Sequence, residues 1–314
     1  MEMNVSKMAK LAFFLAVFAY LSEANDVSSS DDKLSEILKR GKIIVATEPE
    51  YPPMSELIKG AKRSSVTKCF SNEYTAAEYT GFEIELANEV AKHIGVEPCF
   101  VNPAWIEIIA GKWADRWDIS FDSISITSER MESLYFAQPY TSEPSVFYIH
   151  KNNEIVKHFT DLSGKKIGVS AGSIFEHYLE GTLTLPGQKI DYRVKNSEII
   201  GYNAEIDSFR ELALGDGVKI NALLSNIFVG NKALTDGMPI KQLGEPVFYT
   251  YIAPVIDKKQ KRDPISFINK INEIIMKLHD NGTLLKLAQK YIHLNTDVVT
   301  PAKNFNVQVL EQYH

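Results

Sequence analysis

The chain has 314 residues, with 34 Lys and Arg against 40 Asp and Glu, for a formal net charge of −6. With no long basic run, that balance argues against a nucleic-acid partner; Lys258, Lys259, Lys261 and Arg262 read as a solvated turn before a helix. The length favours two domains or two lobes, and no GxxxxGK[ST] or HExxH motif occurs.

Residues 1–24 read as a secretory signal. Lys7 and Lys10 precede the apolar run Leu11 to Leu21, and Ser22-Glu23-Ala24 puts small residues where a signal peptidase reads. The run is shorter than the roughly 20 residues a membrane span needs, and no cysteine at the cleavage point offers a lipid anchor. Export to a periplasm as a soluble protein is the expectation. Two cysteines in an exported chain then suggest a disulfide, Cys69 to Cys99, rather than two buried thiols, because Cys69 lies in a polar loop.

Asp31-Asp32 caps a short helix with Leu34, Ile37 and Leu38 on its apolar side, stopping at Gly41. KIIVAT (Lys42 to Thr47) reads as a buried strand ending in the turn EPEYPP. After the Cys69 loop, Ile84, Ala87, Val90, Ala91 and Ile94 form a helical stripe ended by Gly95. CFVN is the next strand, a helix runs from Trp105 to Gly111, and WDISFDSIS is a third strand; Trp113 and Trp117 are assigned to packing. A second α/β unit starts at Asp161 to Ser173, with a helix near Ile174 to Leu179 and strand IDYRV. A helix at Asp207 to Leu214 and strand KINALL (Lys219 to Leu224) complete it. Two closing helices carry Phe267, Ile268, Ile271, Ile274, Ile275 and Leu278, then Leu287 and Tyr291. PSVFYIHK and PVFYTYIAPVI look like apolar strands running between lobes. Alternating strand and helix predicts parallel sheets with covering helices, whose ligands sit beyond the strand carboxyl ends.

One stretch carries more chemistry than packing requires. In SISITSER, Ser123, Ser125 and Thr127 alternate with Ile124 and Ile126, and Thr127-Ser128-Glu129 reads as a capped helix start just before Arg130. Hydroxyls, helix N–H groups and a guanidinium within a few residues suit an anion. Among the 7 histidines no metal-ligand spacing is found, and neither metal nor cofactor is expected.

From Leu34 to Tyr291 the chain resembles the bacterial extracellular solute-binding proteins of family 3, the polar amino-acid-binding components of ABC importers. The matching segments are GKIIVATEPEYPPM, GFEIELANEVAKHIGV, WDISFDSISITSERMESLYFAQPY, LSGKKIGVSAGS and LHDNGTLLKLAQKY, in that order. The resemblance implies an α/β, two-lobed type II binding-protein fold, each lobe a mostly parallel sheet flanked by helices, joined by two hinge strands. Lobe 1 would hold residues 31–146 and 252–294, lobe 2 residues 147–251, and residues 295–314 would be an uninformative tail. It also places a ligand carboxylate on Arg130, with Ser123, Ser125 and the Gly172-Ser173 turn beside it, Tyr51 as a wall and Trp105 at the cleft. Asn226 stands where the family has an aspartate for the ligand ammonium. Glu48, Asp122 or another acid must then supply the charge, or the ligand is not a standard α-amino acid. The implied function is capture of a small carboxylate-bearing solute, an amino acid or a relative, by a monomer that passes it to an inner-membrane ABC permease. Two rivals share the architecture: a cyclohexadienyl or arogenate dehydratase, with Glu176 as the acid, and a sensory receptor uncoupled from transport.

Overall fold

The computed structural model describes residues 32–292 and 297–306, so the expected signal segment lies outside it. Helix α1 (Lys33–Arg40) begins where Asp32 accepts the Ser35 N–H at 2.7 Å and ends at Gly41, whose φ of 70° suits glycine. Its Ile37 is buried, but Leu38, expected inward, is 49% exposed. Strands β1 (Lys42–Ala46), β2 (Glu50–Tyr51), β3 (Ser55–Leu57), β4 (Tyr74–Thr75) and β5 (Tyr79–Thr80) follow. Helix α2 (Phe82–Ile94) buries the whole predicted stripe. Next come β6 (Glu97–Val101), the short α3 (Trp105–Ile109), β7 (Ile119–Ser120) and β8 (Leu134–Phe136).

The long strand β9 (Thr141–His150) leads into β10 (Lys166–Ser170), α4 (Ile174–Glu180), β11 (Glu198–Tyr202) and α5 (Glu205–Ala213). The chain continues through β12 (Ala222–Asn226), α6 (Ile227–Thr235) and the second long strand β13 (Ile240–Ile252). It closes with β14 (Val255–Asp257), α7 (Ile265–Asp280), α8 (Thr283–Tyr291) and α9 (Thr300–Lys303).

Two sheets result. The first runs β4-β6-β1-β7-β14-β8 and the second β11-β10-β12-β9-β13, with β2, β3 and β5 as a small ribbon. The centres are parallel, β6-β1-β7 in one and β11-β10-β12 in the other. β9 and β13 pair antiparallel from Thr141 opposite Ile252 to His150 opposite Ile240, and their ends pass the chain from one sheet to the other.

Two expected strands differ. β7 ends at Ser120, and Ser123–Thr127 touches the sheet only through a bridge from Ser125 to Ile252. Ser123 adopts a φ of 46°, which breaks the ladder. The alternation still sends Ile124 and Ile126 into a core shared with Trp113 and Trp117, whose rings lie 5.3 Å apart. IDYRV is not a strand, because Tyr178 intercepts its backbone: the hydroxyl accepts the Arg193 N–H and donates to the Asp191 carbonyl, each at 3.0 Å. The edge strand is Glu198–Tyr202 instead.

Cys69 and Cys99 are bridged, tying the loop after β3 to β6. The segment after residue 296 is more than a tail. Val298, Val299 and Ala302 are buried, the Ser142 N–H donates to the Val298 carbonyl at 2.7 Å, and Phe305 stacks 4.6 Å from Tyr251. Lys303 pairs with Asp280 on α7 at 2.8 Å.

Candidate binding cleft

Carboxyl ends of strands from both sheets converge on one narrow cavity. Glu48 comes just after β1, Asp122 after β7, Ser170 and Ser173 around the end of β10, Glu143 from β9 and Glu205 from the start of α5. Of the ten residues proposed from sequence, eight line it: Glu48, Tyr51, Trp105, Asp122, Ser123, Ser125, Arg130 and Ser173. Gly172 and Asn226 do not. The Gly172 N–H is taken by the Glu176 carboxylate at 2.6 Å, and its carbonyl faces Arg130. Asn226 is fully buried: its Oδ1 caps α6 on the Val229 N–H at 2.9 Å while its Nδ2 donates to the Tyr51 hydroxyl.

Arg130 opens a 3-10 turn, its N–H held by the Thr127 hydroxyl at 3.2 Å, so the predicted cap exists though the helix is only a turn. The side chain is 7% exposed, donates to the carbonyls of Ser125 (3.3 Å) and Gly172 (3.4 Å), and lies 5.1 Å from the Trp105 ring centre. Among the described residues no ion pair is formed by it. Burial pulls its pKa down to about 10, opposed by Glu129, which leaves it cationic at neutral pH.

The acids show the opposite stress. Burial, then Glu205, Glu83 and Glu50, push Glu48 up to about 7, and burial lifts Glu205 to about 7. Asp122, buried beside Glu48, and Glu143, buried beside Glu205, are held well above the usual carboxylate range. Asp122 Oδ1 accepts the Glu48 N–H at 2.9 Å, and Glu205 accepts from the Ser225 hydroxyl and from Tyr51. Asp122 Oδ2 and Glu143 Oε1 are buried with no hydrogen-bond partner, as is the donor Trp105 Nε1.

The serines do structural work. Ser123 gives its N–H (2.7 Å) and hydroxyl (2.9 Å) to Glu83, which also takes the Tyr140 hydroxyl, and Ser125 shares a hydrogen bond with Thr250 at 3.2 Å. Glu143 and Glu205 are the charged residues that sequence reasoning missed. Glu143 had one cue, as the lone acid in a strand whose ten residues are all buried. Glu205 reads as an ordinary first-turn acid, and only the topology brings it to the cleft.

These raised acids fix a pH dependence. Between the ordinary value near 4.5 and about 7 the folded chain holds protons that the unfolded chain has lost, so this stabilisation is full at low pH and lost as pH rises through 7. His279, its pKa lowered by burial, works in the opposite sense over a narrower range. The ligand-free protein is expected to melt higher at pH 6 than at pH 8, and Glu205→Gln should shrink that difference in a thermal melt.

The cavity holds about 30 Å³ of free space, room for only a water or two, so a solute must enter with the lobes parted. A wider cleft of about 560 Å³ lies between Pro52, Gly81 and Tyr291 on one side and α6 on the other. Its lysines are already engaged, Lys232 with Asp236 and Lys290 with Glu85. Of these two cavities only the narrower one sets Arg130 beside carboxylates that keep a buried oxygen without a hydrogen-bond partner, Asp122 and Glu143, which makes it the better binding candidate.

Similarity to known proteins agrees with the two-sheet fold. The chain is 26% identical over 294 residues to the L-cystine-binding protein TcyJ of Escherichia coli (strain K12), covering 92% of this chain and 97% of that protein. It is 23% identical to the histidine-binding periplasmic protein of Salmonella typhimurium, over 90% of this chain and 97% of the relative. Among solved structures it resembles an ancestral amino acid-binding protein described as a precursor of cyclohexadienyl dehydratase. That match has a TM-score of 0.67 at 24% identity, over 83% of this chain and all of the other. An ancestral arginine-binding protein bound to arginine gives 0.64 at 23% identity, over 80% and 98%. With the family model matching residues 43–294, the chain belongs to the bacterial extracellular solute-binding proteins, family 3.

Proposed function

We propose that this chain is an exported amino-acid receptor that closes two lobes over its cargo and presents it to an inner-membrane ABC permease. One observation carries the reading: a buried guanidinium without an ion-pair partner shares a narrow cleft with buried carboxylates, two of which, Asp122 and Glu143, keep an oxygen without a hydrogen-bond partner. A zwitterion satisfies both sides at once. Its carboxylate takes the planar fork of Arg130 and the N–H of Trp105, and its ammonium takes the acids. The departure at Asn226 is thereby answered, since Glu205, which hydrogen-bonds with the neighbouring Ser225, supplies charge where the amide cannot.

A dehydratase needs an acid facing the substrate. Glu176 instead accepts the Gly172 N–H and stands off the cavity wall, which favours binding without turnover. The signal-like residues 1–24 and the curated periplasmic relatives support export. A thermal-shift screen of the protein against the twenty amino acids and simple amines is the test. The reading expects several degrees of stabilisation by at least one α-amino acid and none by amines lacking a carboxylate. Failure of every amino acid would overturn it.

A further inference from the structure

The cleft holds more negative charge than an α-ammonium group can answer. Four carboxylates line it, Glu48, Asp122, Glu143 and Glu205, and Arg130 is the one cationic side chain among the lining residues. They fall into two pairs on different elements. Glu48 and Asp122 are joined at the ends of β1 and β7, where the Glu48 N–H donates to Asp122 Oδ1 at 2.9 Å. Glu143 on β9 faces Glu205 at the start of α5. Each pair keeps one buried oxygen without a hydrogen-bond partner, Asp122 Oδ2 in the first and Glu143 Oε1 in the second. A buried acceptor left unmade costs on the order of 1–3 kcal/mol, more when charged, so two such atoms on residues that line one cavity point to two donors arriving with the cargo.

We propose that the two acid pairs are separate cation sites, so the cargo carries one carboxylate and two cationic groups, and that its capture expels protons from the pairs into solvent. This inference rests on the reading of the cleft as an amino-acid site. The groups facing the pairs include Glu50 and Tyr51 from β2, Tyr79 from β5, Glu83 from α2, Tyr140 before β9, Tyr148 on β9, and Arg130. The tyrosines stay neutral, because burial raises every one of them. Glu83, raised by burial to about 6, takes Ser123 and Tyr140 on Oε1 while its buried Oε2 has no hydrogen-bond partner, and it adds negative charge rather than cancelling it. With no cation but Arg130, the empty cleft relieves like-charge repulsion by binding protons. A dicationic side of the cargo replaces them, so binding strengthens as pH rises and weakens below about 7.

The test is titration calorimetry of the full mature chain with arginine, lysine, glutamine, glutamate and cystine, in two buffers of different ionisation enthalpy at pH 7. Arginine or lysine should bind at least tenfold tighter than glutamine, releasing roughly one proton, and affinity should fall about tenfold per pH unit for each proton exchanged. Glu143→Gln and Asp122→Asn should each reduce the proton release and narrow the preference for dibasic over neutral amino acids. Melting of these variants without ligand checks that each still folds. Equal binding of glutamine and arginine, tighter binding of cystine with its second carboxylate, or arginine capture with no proton release would overturn the inference while leaving an amino-acid receptor. Binding of no amino acid would overturn the receptor reading itself, and this inference with it.

Discussion

Replacing Arg130 by methionine is expected to abolish amino-acid binding while leaving the fold intact. The guanidinium is buried, meets only two carbonyls at 3.3 and 3.4 Å, and has no ion-pair partner among the described residues. Removing one member of a buried, hydrogen-bonded charge pair costs about 2–5 kcal/mol of binding, roughly thirtyfold to a few thousandfold in Kd. The same burial makes the cation a burden on the empty protein, as its lowered pKa records. Methionine keeps the apolar stem against Trp105 and sheds that charge, so the melting temperature without ligand should hold or rise. The combination of lost ligand shift and undiminished stability is the signature to look for. A variant that binds as tightly as the parent would place the carboxylate site elsewhere.

Glu73→Ala is expected to produce the largest loss of stability outside the cleft. Lys42 opens β1 at 2% exposure and forks onto Glu73 at 2.6 and 2.8 Å, with its ammonium 3.4 Å over the Phe70 ring. Glu73 also receives the Phe70 N–H at 2.7 Å, so one carboxylate docks the Cys69 loop on the first sheet. Truncation strands a buried ammonium at a cost of about 3–5 kcal/mol, which in a chain of this size lowers the melting temperature by on the order of 10 °C. Denaturant unfolding measures it directly. A loss under 1 kcal/mol would show that Lys42 finds water or another acceptor. The paired variant Lys42→Met with Glu73→Leu should recover most of the loss, because an apolar pair leaves no charge behind.

Much of the fold is legible in the chain because caps and periods act locally. Asp32, Gly41, Gly81 and Gly95 bound their helices where a sequence reader places them, and the stripe from Ile84 to Ile94 is buried throughout. Strands fail where a distant group intervenes: Tyr178 claims the backbone of Asp191 and Arg193, and nothing near residue 191 announces it. The same distinction governs the cleft. Arg130, Ser123 and Ser125 sit within one short motif and are found together. Glu143 and Glu205 lie 62 positions apart and meet only because β9 and α5 begin at the same cavity. Asn226 illustrates the reverse, a residue whose aligned position suggests ligand contact while its amide is spent on a helix cap and on Tyr51.

The family's shared region stops at residue 294, yet the chain here keeps building past it. Val298 accepts from Ser142 at the root of β9, Gln138 reaches the Ala302 carbonyl at 3.1 Å, and Phe305 roofs Tyr251 on β13. Gene boundaries drawn from the family alignment would therefore cut away part of the covering of β9 and β13, baring an apolar ring and leaving the Ser142 and Gln138 amides without these partners. Purification tags and reporter fusions should never take the place of this stretch.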